Sequence, residues 1–147
     1  MHKYILMLHV ISATVWAGGH LILSLTVLPR VLKTKNVSEL LHFESGFEKV
    51  GIPSLIIQVI TGIWLAYDFV PDVESWFLPH DHMSHLVTIK LFLLLTTIGL
   101  AIHARFKIIP NLNENNLKKL SYHIIPVTII AVLFVIVGVS FRTGGLF

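Results

Sequence analysis

The chain contains no cysteine, which excludes disulfides and thiolate metal sites and leaves histidine, methionine, carboxylate and backbone oxygen as the available ligands. Charge is scarce: 13% of the residues are Asp, Glu, Lys or Arg against 54% hydrophobic. With a mean hydropathy of +0.80, this balance places the chain beyond soluble domains and among integral membrane proteins. No nucleophile triad, phosphate-binding loop or paired-carboxylate site is visible. Glu44 and Glu48 lie one helical turn apart beside Lys49 and read as a solvated face.

What is present is a set of four apolar segments, at about 4–30, 51–69, 86–107 and 124–141, each long enough to cross roughly 30 Å of hydrocarbon as a helix. The first is too long for a removable signal peptide and has no small-residue cleavage pattern. Basic residues orient the spans. The stretches Arg30–Lys49 and Arg105–Lys119 carry four Lys or Arg each, whereas Asp68–His85 carries none and holds Asp68, Asp72, Glu74 and Asp81. The positive-inside rule puts the two basic loops in the cytoplasm, and the acidic loop and both termini on the periplasmic side of a bacterial inner membrane. The net charge of +3 is then a topology signal, with nothing to suggest a nucleic acid partner.

Two helices extend beyond their apolar cores on the basic side. In "NVSELLHFESGFEKVGIPSL", Leu40, Phe43, Phe47 and Val50 recur at helical spacing behind a capping-box pattern of Asn36 and Glu39. In "NENNLKKLSYHIIPV", Leu117, Leu120 and Ile124 do the same. Both stretches meet a proline, Pro53 or Pro126, that should kink the helix and free a carbonyl. The strings "IPSLIIQVI" and "IPVTIIAVL" align, as two duplicated hairpins would. The expected fold is an all-α, single-domain bundle of four transmembrane helices at about 4–30, 40–69, 86–109 and 116–141.

Nine histidines in such a chain need an explanation, because imidazole is costly at bilayer depth and turns toward the bundle interior. In "HVISATVWAGGH" and its flanks, His2, His9, Trp16 and His20 fall within roughly 40° of one another on a helix. Ser12, Ala13, Ala17, Gly18 and Gly19 beside them leave room for a helix or a flat cofactor. His9 and His20 stand about 16 Å apart in depth. An inner group of His20, His42, His103 and His123 has the makings of a b-type haem site, with Arg105 as a cation for the propionates. The spacing leaves open which two imidazoles pair and whether one or two haems are held. Hydrogen-bonded structural histidines are the plain alternative. An outer group of His2, His9, His80, His82, Met83 and His85, centred on "HDHMSH", offers imidazole, thioether and carboxylate suited to copper. Zinc, or a solvated loop with no metal, is the alternative there. Trp16 lies on the histidine stripe; Trp64 and Trp76 read as packing or interface anchors.

"LHVISATVWAGGHLILSLTVLPRVL", "FEKVGIPSLIIQVITGIWLAY" and "HARFKIIP" resemble the copper-resistance D (CopD) family of bacterial inner-membrane proteins in its short form, over nearly the whole chain. More distantly they resemble the HemJ-type porphyrinogen oxidases. The resemblance implies a four-helix, copper-linked membrane domain working beside a periplasmic copper-binding partner. By position it carries over His9 with Trp16, Gly18 and Gly19, and His103 with Arg105. It gives no counterpart for His80 to His85.

Three functions follow from these features. The first is a haem- and copper-binding redox protein that takes electrons from a membrane donor such as quinol. The second is copper transport, which requires a ladder of ligands across the bilayer. The third is porphyrinogen oxidation. Lipid is the surrounding partner in each, and homo-oligomerisation through the lipid-facing surface stays open.

Overall fold

The structure, a computed structural model, describes residues 1–145 and contains helices and no strand among them. Four long helices dominate: α1 (His2–Thr34), α2 (Val37–Phe69), α3 (His82–Asn111) and α4 (Leu117–Thr143). Each carries an apolar window long enough to cross a membrane, and large apolar side chains such as Leu25, Phe92, Leu95 and Phe106 stand exposed toward lipid. At 33 residues, α1 and α2 are each about 50 Å long and overrun the hydrocarbon.

Local chemistry sets the helix ends. Lys35 adopts a left-handed conformation with φ of 58° and ends α1, and the Asn36 side chain accepts the Glu39 N–H at 3.1 Å to start α2. The capping box expected there is only half made, because the Glu39 carboxylate turns to the Arg30 guanidinium. Before α4, Asn116 Oδ1 accepts the Asn113 N–H at 2.7 Å. Pro53 and Pro126 both sit inside unbroken helices. Each proline lacks the N–H that would continue the ladder, and π-helical turns disturb it further at Leu23–Val27 in α1, three residues after His20, and at Ala104–Ile108 in α3, directly after His103.

α1 packs along α2 and α4, and α4 packs along α3. At the basic end, Leu23, Val27, Leu28 and Val31 of α1 close a core with Leu40 of α2 and Leu117, Leu120 and Ile124 of α4. At the other end, a 3₁₀ turn at Val73–Trp76 folds under α3, where Trp76 Nε1 donates to the Val70 carbonyl at 2.8 Å.

The α1–α2 seam carries two polar pairs, one exposed at its end and one part-buried. His2 meets Asp68. Seven residues on along α1 and seven back along α2, His9 meets Thr61 at 2.9 Å. Further along, Phe47 fills a notch between Gly19 and Gly51: a Cβ at Gly19 would lie 2.0 Å from the ring, and one at Gly51 2.9 Å. The small residues of "WAGGH" do admit a flat group, and that group is the Phe47 ring. Gly18 has nothing within 4 Å.

Replacing Gly19 by Ala should therefore destabilise the bundle by about 1–3 kcal/mol, read as a lower melting temperature in detergent. Gly18→Ala should melt like the wild type, and Gly19→Ala should cost less in a Phe47→Ala background than in the wild type. A Gly19→Ala protein as stable as the wild type would refute the notch.

Candidate functional site

All of the α1 stripe faces α2, and each imidazole on it has a different neighbour. His2 lies beside Trp64 and Phe69 as well as Asp68. Thr61 Oγ1 donates to the Ile57 carbonyl at 2.7 Å, so it accepts from His9, whose Nδ1 carries the proton. That leaves the His9 Nε2 lone pair uncommitted. His20 is buried, with Nδ1 donating to the Trp16 carbonyl at 2.9 Å. Its ring is covered by Trp16, centroids 4.4 Å apart, and by Phe47 edge-on at 5.3 Å.

The inner group of four histidines does not assemble. His103 and His123 meet each other, Nδ1 to Nε2 at 2.6 Å with ring planes inclined 17°. Contact that close leaves no space for a haem between them. His20 is shut behind Phe47, and His42 is exposed on α2. Arg105 does not wait for a propionate, because it pairs with Glu48 at 2.8 Å. Glu44 and Glu48 are accordingly not a solvated face: Glu48 holds Arg105, and Glu44 Oε2 is buried without a partner.

The outer cluster is dispersed by the capping of α3. Asp81 accepts the Ser84 N–H at 2.7 Å, and Ser84 Oγ accepts the Asp81 N–H at 3.1 Å, a complete capping box. That Ser84 N–H bond, joined by the Ser84 hydroxyl, holds the Asp81 carboxyl below its ordinary range. His80 Nδ1 turns back to Ser75 Oγ at 3.2 Å, whose hydroxyl donates to Asp72; that hydroxyl leads the bonds that hold the Asp72 carboxyl low. His85 Nδ1 donates to the Asp81 carbonyl at 2.7 Å. Met83 turns into the bundle against apolar side chains, and His82 is exposed. Among the described residues no three or more His, Asp or Glu side chains converge on a metal position.

Between the four helices lies a partly open cavity of about 470 Å³, with His9 from α1, Gln58 from α2, Lys90 from α3 and Arg142 from α4 on its wall. Trp16, Phe134 and Phe141 supply apolar surface, and neither Asp nor Glu lines it. The Lys90 ammonium lies 5.4 Å from the Phe141 ring centre, a cation–π contact in place of an ion pair. Gln58 Oε1 is buried with no hydrogen-bond partner. Lys90 is the residue that sequence reasoning passed over, although a lone charge within "HLVTIKLFLLL" is a visible signal.

A family model, copper resistance protein D, matches residues 41–141. The chain belongs to the copper resistance protein D family. No curated protein and no solved structure matches it. As a copper resistance D protein it is a multi-pass membrane protein of copper resistance or uptake, and that membership indicates the bacterial inner membrane. The match includes α3 and nearly all of α2 and α4, and so takes in Gln58, Lys90, His103 and His123.

The Asp81 cap makes its contribution testable by pH. A carboxyl held low in the folded state adds stability above the ordinary carboxylate range and loses it as the pH falls through its lowered value. Asp81→Ala should melt below the wild type at neutral pH, with the gap closing on acidification below about pH 3.9. A gap independent of pH would show that the carboxylate is not the cap.

Proposed function

We propose that this copper resistance D protein is a redox protein in which a b-type haem occupies the four-helix cavity and exchanges electrons between quinol in the bilayer and copper at the periplasmic side, where the termini and the acidic loop lie. The observation that carries the reading is His9. It is the histidine on the cavity wall, its Nδ1 proton is committed to Thr61, and its Nε2 is left as a ligand. A hydrogen-bond acceptor behind the other ring nitrogen, which sets the tautomer, is the usual support of a metal-binding imidazole.

The remaining wall fits the same group. Lys90 and Arg142 place two cations on a cavity without a carboxylate, and an anionic amphipath such as a haem dipropionate answers both charges at once. The apolar side chains on the wall, Trp16, Phe134 and Phe141 among them, would pack against a flat ring. Haem bound there would supply one-electron chemistry. His9 would hold and orient the group, with its Nδ1 proton fixed by Thr61, and Lys90 and Arg142 would bind the acid groups. The pairing of His103 with His123 and the cover over His20 argue against a second haem in the basic half.

Copper uptake alone is the competing reading. It requires imidazoles to pass the metal along α1, and the step from His9 to His20 is about 16 Å, with Trp16 and Phe47 lying over His20. In a porphyrinogen oxidase, the third reading, the tetrapyrrole in the cavity would be substrate.

Protein purified in detergent should show a Soret band that shifts on reduction with dithionite. His9→Ala should lose that band and His103→Ala should keep it. A colourless preparation carrying copper would overturn the redox reading in favour of uptake. A free porphyrin in place of haem would favour the oxidase.

A further inference from the structure

We propose that His103 and His123 form a two-coordinate copper(I) site between α3 and α4 at the basic end of the bundle. The proposal rests on the copper link of the family and is independent of haem in the His9 cavity.

The geometry is that of two ligands facing one point. The nitrogens are 2.6 Å apart, the ring centroids 4.8 Å apart and the planes inclined 17°. A centroid separation that large is close to the greatest that so short a nitrogen contact permits. The rings therefore meet edge to edge and nearly coplanar, with His103 Nδ1 and His123 Nε2 pointing at each other along a line. His123 Nδ1 donates to the Lys119 carbonyl at 3.1 Å, which leaves its Nε2 unprotonated and aimed at His103. A backbone carbonyl behind the distal nitrogen is how metal-binding imidazoles are fixed. Only one proton, on His103 Nδ1, occupies the position between the rings.

Copper(I) fits that position in charge and number. It is a closed-shell monovalent ion that accepts two imidazoles in a line. No third His, Asp or Glu joins the pair among the described residues, so zinc, which needs four ligands, is not satisfied. With metal–nitrogen bonds of about 2 Å the nitrogens would stand roughly 4 Å apart, a separation reached from 2.6 Å by parting the rings by about 1.4 Å. His103 is followed directly by the π-helical turn Ala104–Ile108, a ladder irregularity common at functional sites. Arg105 is paired with Glu48, so an unpaired guanidinium does not oppose an incoming cation. On binding, the His103 proton leaves Nδ1 and Nε2 takes one up through solvent. Both rings stay neutral, copper stays monovalent, and no net proton or electron is exchanged.

The test is an anaerobic titration of the full-length protein in detergent with copper(I), supplied as its acetonitrile complex against bicinchoninate. One equivalent of copper(I) should be lost in His103→Ala, in His123→Ala and in the double variant alike, and retained in His42→Ala and in the combined His80, His82 and His85→Ala variant. X-ray absorption of copper bound to the wild type should show two nitrogen neighbours and the strong pre-edge feature of linear copper(I). Retention of that equivalent in either Ala variant would overturn the proposal. So would a three- or four-coordinate spectrum of the wild type, a result that needs no variant to fold.

Discussion

Imidazole in hydrocarbon must be hydrogen-bonded inside the protein, because no water is available to replace a missing partner. In this bundle the α1–α2 seam meets that demand. His2 finds Asp68 and His9 finds Thr61 at matched seven-residue steps along two antiparallel helices, which fixes how α1 and α2 slide against each other. With that register set, Gly19 comes opposite Gly51, and the Phe47 ring enters the notch between them. The same ring covers His20, so the packing that holds the two helices together also removes one histidine from ligand chemistry.

Charge is divided along the bundle in a comparable way. At the basic end carboxylates and guanidiniums neutralise each other, Glu39 with Arg30 and Glu48 with Arg105. In the cavity nearer the termini no carboxylate is present, and Lys90 rests on the Phe141 ring. Cations that would be costly without a partner in an apolar setting are thus kept where an anionic ligand can approach, and the ligand-ready nitrogen of His9 shares that wall. The haem proposed above would lie in the cavity half, and the proposed copper(I) ion at the His103–His123 pair in the other.

The family match gives this division a chemical setting, since copper resistance or uptake requires a membrane protein to handle a soft, redox-active metal. With no cysteine, three methionines and nine histidines in the chain, and Met83 turned into the core, imidazole is the most numerous nitrogen or sulfur ligand for that work.

Four spans and the alignment of His2, His9, Trp16 and His20 were legible in the sequence, because hydropathy and the helical repeat are properties of neighbouring residues. The "HDHMSH" cluster misled for the same reason: proximity in the chain says nothing of direction, and the Asp81–Ser84 capping box and the inward turn of Met83 disperse its ligands. Which side chains meet across the bundle was decided only by tertiary structure. His103 and His123 touch although they are 20 residues apart, Phe47 reaches over His20, and Lys90 shares a cavity with His9. Such meetings depend on the relative depth and rotation of separate helices, and those are set by how glycine notches, rings and hydrogen-bonded pairs pack together, which no single stretch of sequence contains.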